Sequence, residues 1–438
     1  MPVHTAAALS RSAESGVAAV EAADAVASRL AFRARPAQAG PAGEVSPPAA
    51  EGTAAVPAES PRCDLVVVTV TPAHADHLDD VAAAIEARLE PGVLLGAVAS
   101  GVVGPGVEVA DGPAVAVWAL AAPGGWVQPF RVWTLRPASG GVTVVGWPDT
   151  EPGDVTLVLG DPHDLPATEL AARLSEQRPG SLLLGGLVSG GLGRSRFVVD
   201  GRVHSDGAVG VVLRDIDVTA LVSIGCSSIG RPVTVTEAVE DRILSLAGEP
   251  ATDYVDRLLS SLPASDLARL EQGGLQIGTV VDEVRDEYHS GDFQLRHVLA
   301  IDAETGALTV GDRISPGSTV QFHLPDPIHA GADLAGRLRT AGPAAGALLF
   351  TSVGRGVGLF EVPGHDARTV QDHLDVEVAG AVTEGEFGPL GARSVLHTFA
   401  AAVTMFDQPA EDQPAEDQPA DEPPERAPGG VSGGGVTG

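Results

Sequence analysis

The sequence contains no lysine and no asparagine: all 27 cations among its 438 residues are arginine. That excludes Schiff-base chemistry on a lysine and a lysine-dependent phosphate loop. Cysteine is almost as scarce. Cys63 and Cys226 stand far apart, which excludes a disulfide framework and a CxxC metal site and fits a reducing cytoplasm. Aromatic residues make up only 4%, so a flat pocket lined by rings is poorly supplied. The densest apolar runs, such as Leu65–Val70, are far shorter than the roughly 20 residues of a membrane helix. Met1–Gly16 lacks the charged-then-apolar pattern of a secretory signal. There is no GxSxG, HExxH, Walker A or kinase motif. Carboxylates outnumber cations 58 to 27, a net charge of −31, which argues against nucleic acid or an anionic membrane as the main partner.

What is present is unevenly spread. From Asp407 onward, eight carboxylates and one arginine sit in Asp-Gln-Pro-Ala-Glu repeats that run into a glycine-rich end. This tail, 407–438, has no apolar periodicity and is expected to be disordered. Residues 34–61 are dominated by Ala, Pro and Gly and read as a low-complexity linker. Residues 1–33 hold an alanine-rich helix over Gly16–Ala31, with Val17, Val20, Val26 and Leu30 available for its buried face.

Between linker and tail a pattern recurs. Leu65–Val70 reads as a buried strand, Ala75–Leu89 as a helix and Val93–Val98 as a second strand ending in Ser100-Gly101. Val155–Gly160, Ala167–Gln177 and Leu182–Val188 repeat the order and end in Ser189-Gly190. Ala347–Ser352, a helix near Arg368–Leu374 and Val376–Val382 form a looser third copy. Such units imply parallel pairing with right-handed crossovers. Between them, Ala114–Leu120, Arg131–Leu135, Arg196–Asp200, Ala208–Leu213 and Val218–Ile224 read as short strands, with Asp200-Gly201 as a hairpin turn. Another hairpin is expected where Gln294–Ile301 and Ala307–Val310 flank Ala303–Gly306. The fold class is α/β: two mixed-sheet domains, 62–241 and 242–406, with a boundary near Asp241 before a helical segment Ala251–Leu270.

Several polar groups invite a functional reading. The glycines of Gly185–Gly193 follow a strand with no helix behind them, so tight sheet packing explains them better than phosphate binding. His74, Asp76, His77 and Asp80 have metal-like spacing, but helix capping accounts for them; His323, Asp326, His329 and Asp333 are treated alike. Cys226, directly after a strand, is either a pocket thiol or a small buried hydrophobe. The C-terminal part carries more. Gly354-Arg355-Gly356 ends a buried strand, and the glycines leave Arg355 free to hold a carboxylate bidentately. Gly385-Glu386 ends the last strand of the third unit, and His397 follows. In a parallel arrangement both loops lie at the strands' carboxyl ends, where α/β sheets place ligands. The plain structural alternative is that Arg355 and Glu386 pair with each other.

Leu349-Phe350, Gly354-Arg355-Gly356, Gly380, Gly385-Glu386, Pro389 and Leu396-His397 resemble the C-terminal half of the FIST domain family. Asp64–Val70, Pro72-Ala73-His74, Leu95-Gly96, Gly185-Gly186 and Val233–Glu237 resemble its N-terminal half, and Gly248–Ala251 the junction. The chain departs from the family at Phe350-Thr351-Ser352, where a cysteine is usual, and at Pro325-Asp326, where Arg-Asp is usual. The resemblance implies an intracellular, non-catalytic sensory module for a small ligand, with amino acids as the proposed class. A protein signalling partner is then expected. The ligand would sit among Gly354, Arg355, Gly356, Gly385, Glu386, His397 and Cys226. Two alternatives remain: a haem-based nitric oxide sensor with His397 as axial ligand, as in some similar bacterial members, and an interaction or scaffold protein docking through its acidic tail.

Overall fold

The computed structural model describes residues 3–33, 63–137, 141–191, 195–281, 288 and 290–407. The linker read over 34–61 and the tail beyond Asp407 lie outside the described residues, while Asp407 itself closes the strand Ala400–Asp407.

All three strand–helix–strand units form with parallel strands. Leu65–Val70 pairs with Val93–Val98, Val155–Gly160 with Leu182–Leu187, and Ala344–Ser352 with Val378–Thr383. The crossover helices are Leu78–Leu89, Ala167–Gln177 and His365–Leu374. A two-turn 3-10 segment, Pro72–His77, precedes the first helix, where the sequence pattern suggests α-helix from Ala75.

Each unit is followed by a hairpin that leaves its own sheet. The hairpin of the first unit, Gly101–Gly104 with Val107–Val109, adds to Val378–Thr383 of the third. That of the second, Phe197–Val199 with Arg202–His204, adds to Val93–Val98 of the first. That of the third, Gly385–Leu390 with Arg393–His397, adds to Leu182–Leu187 of the second. The exchanges close a ring, so the halves 62–241 and 242–406 share sheets. Two antiparallel strands complete the other side of each parallel pair. These are His4–Ser10 and Val115–Ala121 in the first sheet, Trp126–Leu135 and Ala208–Arg214 in the second, and Val218–Ile224 and Ala400–Asp407 in the third. The inner faces of the three sheets meet in one apolar core that includes Leu95, Trp118, Leu157, Val211, Phe350 and Phe406.

A fourth, antiparallel sheet of seven strands is built from residues 226–325. It carries a separate core around Val235, Ile277, Leu308 and Phe322. The boundary read near Asp241 falls in the turn between Cys226–Val239 and Arg242–Leu246 of this sheet. The helical segment read over Ala251–Leu270 is two helices, Ala251–Ser260 and Ala264–Gly273, because Pro263 starts a new one.

Local chemistry accounts for the details. Asp200 (φ 52°) and Gly201 (φ 64°) both take left-handed conformations, the turn that matches strand twist in a two-residue hairpin. Gly185 and Gly380 both lie in the second parallel strand of their units, opposite Val158 and Leu349. A Cβ would lie 2.0 Å from the Val158 carbonyl oxygen at Gly185 and 1.9 Å from that of Leu349 at Gly380, so these glycines serve packing. The N-terminal helix, Ser15–Arg33, buries Ala18, Ala19, Ala22 and Ala23 beside Val26 and Leu30. Val17 faces solvent instead; small alanines let the helix approach the sheet closely.

Candidate functional site

The turn Val353–Gly356 and the start of the hairpin at Gly385 do lie at the carboxyl ends of neighbouring parallel strands. The Val353 amide donates to the Thr383 carbonyl, tying the two loops together. Arg355 does not reach outward, however. It is 0% exposed, and its guanidinium turns back under the loop onto Asp366, the second residue of the helix His365–Leu374. Nε donates to Oδ2 at 2.7 Å and Nη2 to Oδ1 at 3.0 Å. Thr351 Oγ1 also donates to Asp366, and His365 Nδ1 lies 3.1 Å from it. The Arg355 guanidinium packs over Phe360, which stacks on His365. Neither the ligand-facing Arg355 nor the alternative Arg355–Glu386 pair is found; Arg355 pairs with Asp366, because the helix start brings a second carboxylate within bidentate reach.

Glu386 is equally buried and is held differently. It accepts from Thr383 Oγ1 at 2.7 Å and from the Ala400 amide at 3.2 Å. Burial pushes its pKa up to about 8, against the pull of these donors and of Arg355. Burial opposes ionisation of Asp366 too, but Arg355, with hydrogen bonds from His365 and Thr351, holds its carboxyl well below the usual range. At neutral pH the cluster is thus an ion pair beside a protonated acid. Arg355 Nη1 has no hydrogen-bond partner among the described residues, and it lies 3.0 Å from where a Cβ on Gly225 would be. Cys226 follows, fully buried, its thiol pushed up by burial; it is a small buried hydrophobe and not an exposed nucleophile. Gly354 packs against Phe399, where a Cβ would stand 2.6 Å from the ring.

His397 faces Glu386 across the hairpin in register. It is buried, and Nε2 has no partner among the described residues. Burial lowers its pKa to about 4, helped by Arg296 and opposed by the carbonyls of Gly388 and Pro389. His397 lines a cavity of about 210 Å³ between Val218–Ile224 and the hairpin, together with Arg337 and Gly291. Ile224 lines it too, and the next residue is the Gly225 that abuts Arg355. The structure thus gathers Arg355, Glu386 and Cys226 in one buried cluster, with His397 on the cavity side. Gly356 precedes the short helix Val357–Phe360 and Gly385 begins the hairpin strand, both contributing backbone only. Asp366 and Arg337 were not legible as site residues: neither stands in a glycine-bounded motif, and only the fold brings them in.

The other polar groups take structural places. His74 Nδ1 lies 2.8 Å from Ser15 Oγ, and His77 pairs with Asp80 on the surface. Asp326 caps the helix Pro327–Thr340 by accepting from the Ile328 and His329 amides. Among the described residues no group of His, Cys, Asp and Glu is placed to hold a metal.

Residues 64–249 match the FIST N domain and residues 251–389 the FIST C domain. The chain belongs to the FIST family. FIST domains are small-ligand sensory domains in signalling. Its similarity extends to the uncharacterized protein Rv0628c of Mycobacterium tuberculosis, 37% identical over 350 residues that cover 78% of this chain and 91% of that one. The uncharacterized protein Mb0898c of Mycobacterium bovis is 36% identical over 352 residues, 78% of this chain and 90% of its own length. No helix among the described residues of this FIST protein is long and apolar enough to cross a membrane. Haem, the cofactor of the alternative reading, does not fit the cavity beside His397. At about 210 Å³ it lies below the roughly 300–1,000 Å³ of sites for drug-sized ligands, and a rigid macrocycle would have to part the hairpin from Val218–Ile224.

Proposed function

We propose that this FIST protein is a non-catalytic sensor, that its ligand is a small metabolite of amino-acid size, and that the ligand enters the cavity beside His397. One observation carries the reading. A cavity of about 210 Å³, partly open to solvent, is lined by His397, whose buried Nε2 has no partner among the described residues, and by Ile224, next to the Gly225 that abuts the free Nη1 of the buried Arg355–Asp366 pair. Burying charge is expensive and is weak support for stability by itself; such groups gathered next to a cavity mark functional sites. Arg355, Glu386 and Cys226 do not line the cavity; they lie beyond Ile224 and His397, through which filling it would press on the loops Val353–Gly356 and Gly385–Glu386. That movement is the proposed signal to a protein partner. The proposed setting is the cytoplasm, and the charge of −31 supports neither nucleic acid nor membrane as partner.

A thermal-shift screen of amino acids and small metabolites on the full chain tests this. A saturable rise in melting temperature with at least one compound is the expected result. No rise across the collection, with no small molecule released from freshly denatured protein, would sink the reading.

A further inference from the structure

We propose that the cavity takes a small carboxylate that also carries an O–H or N–H donor, with Arg337 holding the carboxylate and His397 Nε2 accepting from the donor. This rests on the sensor reading above and specifies its ligand chemistry.

The tautomer of His397 sets one half of the recognition. Its Nε2 has no partner among the described residues, and the carbonyls of Gly388 and Pro389 act on the ring. With the ring neutral and its proton on Nδ1, Nε2 offers a lone pair. A buried acceptor left unmade costs about 1–3 kcal/mol, so a ligand donor there is strongly selected over a ligand without one.

Arg337 sets the other half. It stands in the last turn of Pro327–Thr340, and its Nε donates to both oxygens of Asp333 at 3.0 Å. Among the described residues nothing else ties its Nη edge. Nη2 lies 2.9 Å from where a Cβ on Gly291 would be, so glycine there leaves the guanidinium its place on the rim. The charge of Arg337 is felt at His397, whose basicity it lowers. A guanidinium edge matches a carboxylate in two parallel hydrogen bonds. Between the two polar ends the walls are Leu221, Val222, Ile224, Pro389 and Leu390, which suit a short branched alkyl chain. Hydroxy acids and amino acids share this chemistry.

Calorimetric titration of the full chain with isovalerate, 2-hydroxyisovalerate and valine tests the proposal. Either donor-bearing acid should bind about tenfold or more tighter than isovalerate, the factor one rescued buried acceptor supplies. Arg337→Gln, at a partly exposed position, should weaken binding by about tenfold or more. His397→Leu should bring the ratio between the donor-bearing acid and isovalerate to about one. Equal affinity for isovalerate and its donor-bearing relatives overturns the proposal, as does unchanged binding in Arg337→Gln. No binding of any of the three, when the broad screen has given another ligand, overturns it and leaves the sensor reading standing.

Discussion

Arg355 and Asp366 form a bidentate ion pair, 2.7 and 3.0 Å, in which both side chains are sealed from solvent. The pair fixes the Gly354-Arg355-Gly356 turn to the first turn of the following helix. Removing one partner leaves the other charge buried, which costs about 3–5 kcal/mol. Asp366→Ala and Arg355→Ala should each destabilise by that much in urea titrations. The double replacement Arg355→Met with Asp366→Leu should cost far less than the two single losses together. A loss below about 1 kcal/mol in either single variant would show that the pair is solvated.

Glu386 makes stability depend on pH in a direction unusual for a carboxylate. Its native pKa is raised from 4.5 to about 8, so between those values the folded state holds a proton that the unfolded state releases. Stability from this group therefore falls as pH rises from about 4.5 to about 8. Buried His323 and His397 work the other way. Both are lowered from 6.5 to about 4, so they add stability as pH rises through that lower window. The effect of Glu386 stands clear between pH 6.5 and 8. The melting temperature should decline there in the wild type and stay level in Glu386→Gln; a decline of the same size in the variant would contradict the assignment.

Gly380 is the sharpest packing constraint. Its φ of 153° and the 1.9 Å approach of a Cβ to the Leu349 oxygen leave no room for a side chain. Gly380→Ala should cost several kcal/mol, or about 3 at least. Gly180, at φ 85° with nothing near its Cβ direction, is the control: Gly180→Ala should cost about 1 kcal/mol from the left-handed backbone alone. Circular dichroism melts of the two variants give the comparison, and equal losses would contradict it.

Both cysteines should be silent in the native state. Burial pushes the Cys63 thiol up to about 12 and raises Cys226 as well. Neither should react with a thiol reagent at pH 8 within hours, and both should react at once in guanidinium. Fast native labelling of Cys226 would place it on an open path and revive it as a ligand-facing thiol.

The units were legible because each is local. Leu65–Val70, Val155–Gly160 and Ala167–Gln177 have the ends that apolar runs and Pro-Gly breaks mark. The exchange of hairpins was not legible. Gly101–Gly104 follows the first unit yet pairs with Val378–Thr383, and no local residue choice encodes so distant a partner. His4–Ser10 escaped notice because Ala6, Ala7 and Ala8 carry little strand signal without the sheet beside them. In the site, Arg355 and Glu386 stood out through their glycine-bounded motifs, and His397 through the resemblance of Leu396-His397 to the family. Asp366 and Arg337 lie on ordinary helices in the sequence and acquire roles only in the fold, Asp366 beneath the Arg355 turn and Arg337 on the cavity rim.

The central claim is that a small molecule occupies the cavity against His397. Ala220 lines that cavity from the strand Val218–Ile224, and Ala220→Phe would fill much of it without touching the buried ion pair. Calorimetric titration of a compound that stabilises the wild type, repeated on correctly folded Ala220→Phe, is the most direct measurement. Binding to the wild type with none detectable in the variant is the predicted result. Equal affinity in the two proteins would place the ligand elsewhere and contradict the account.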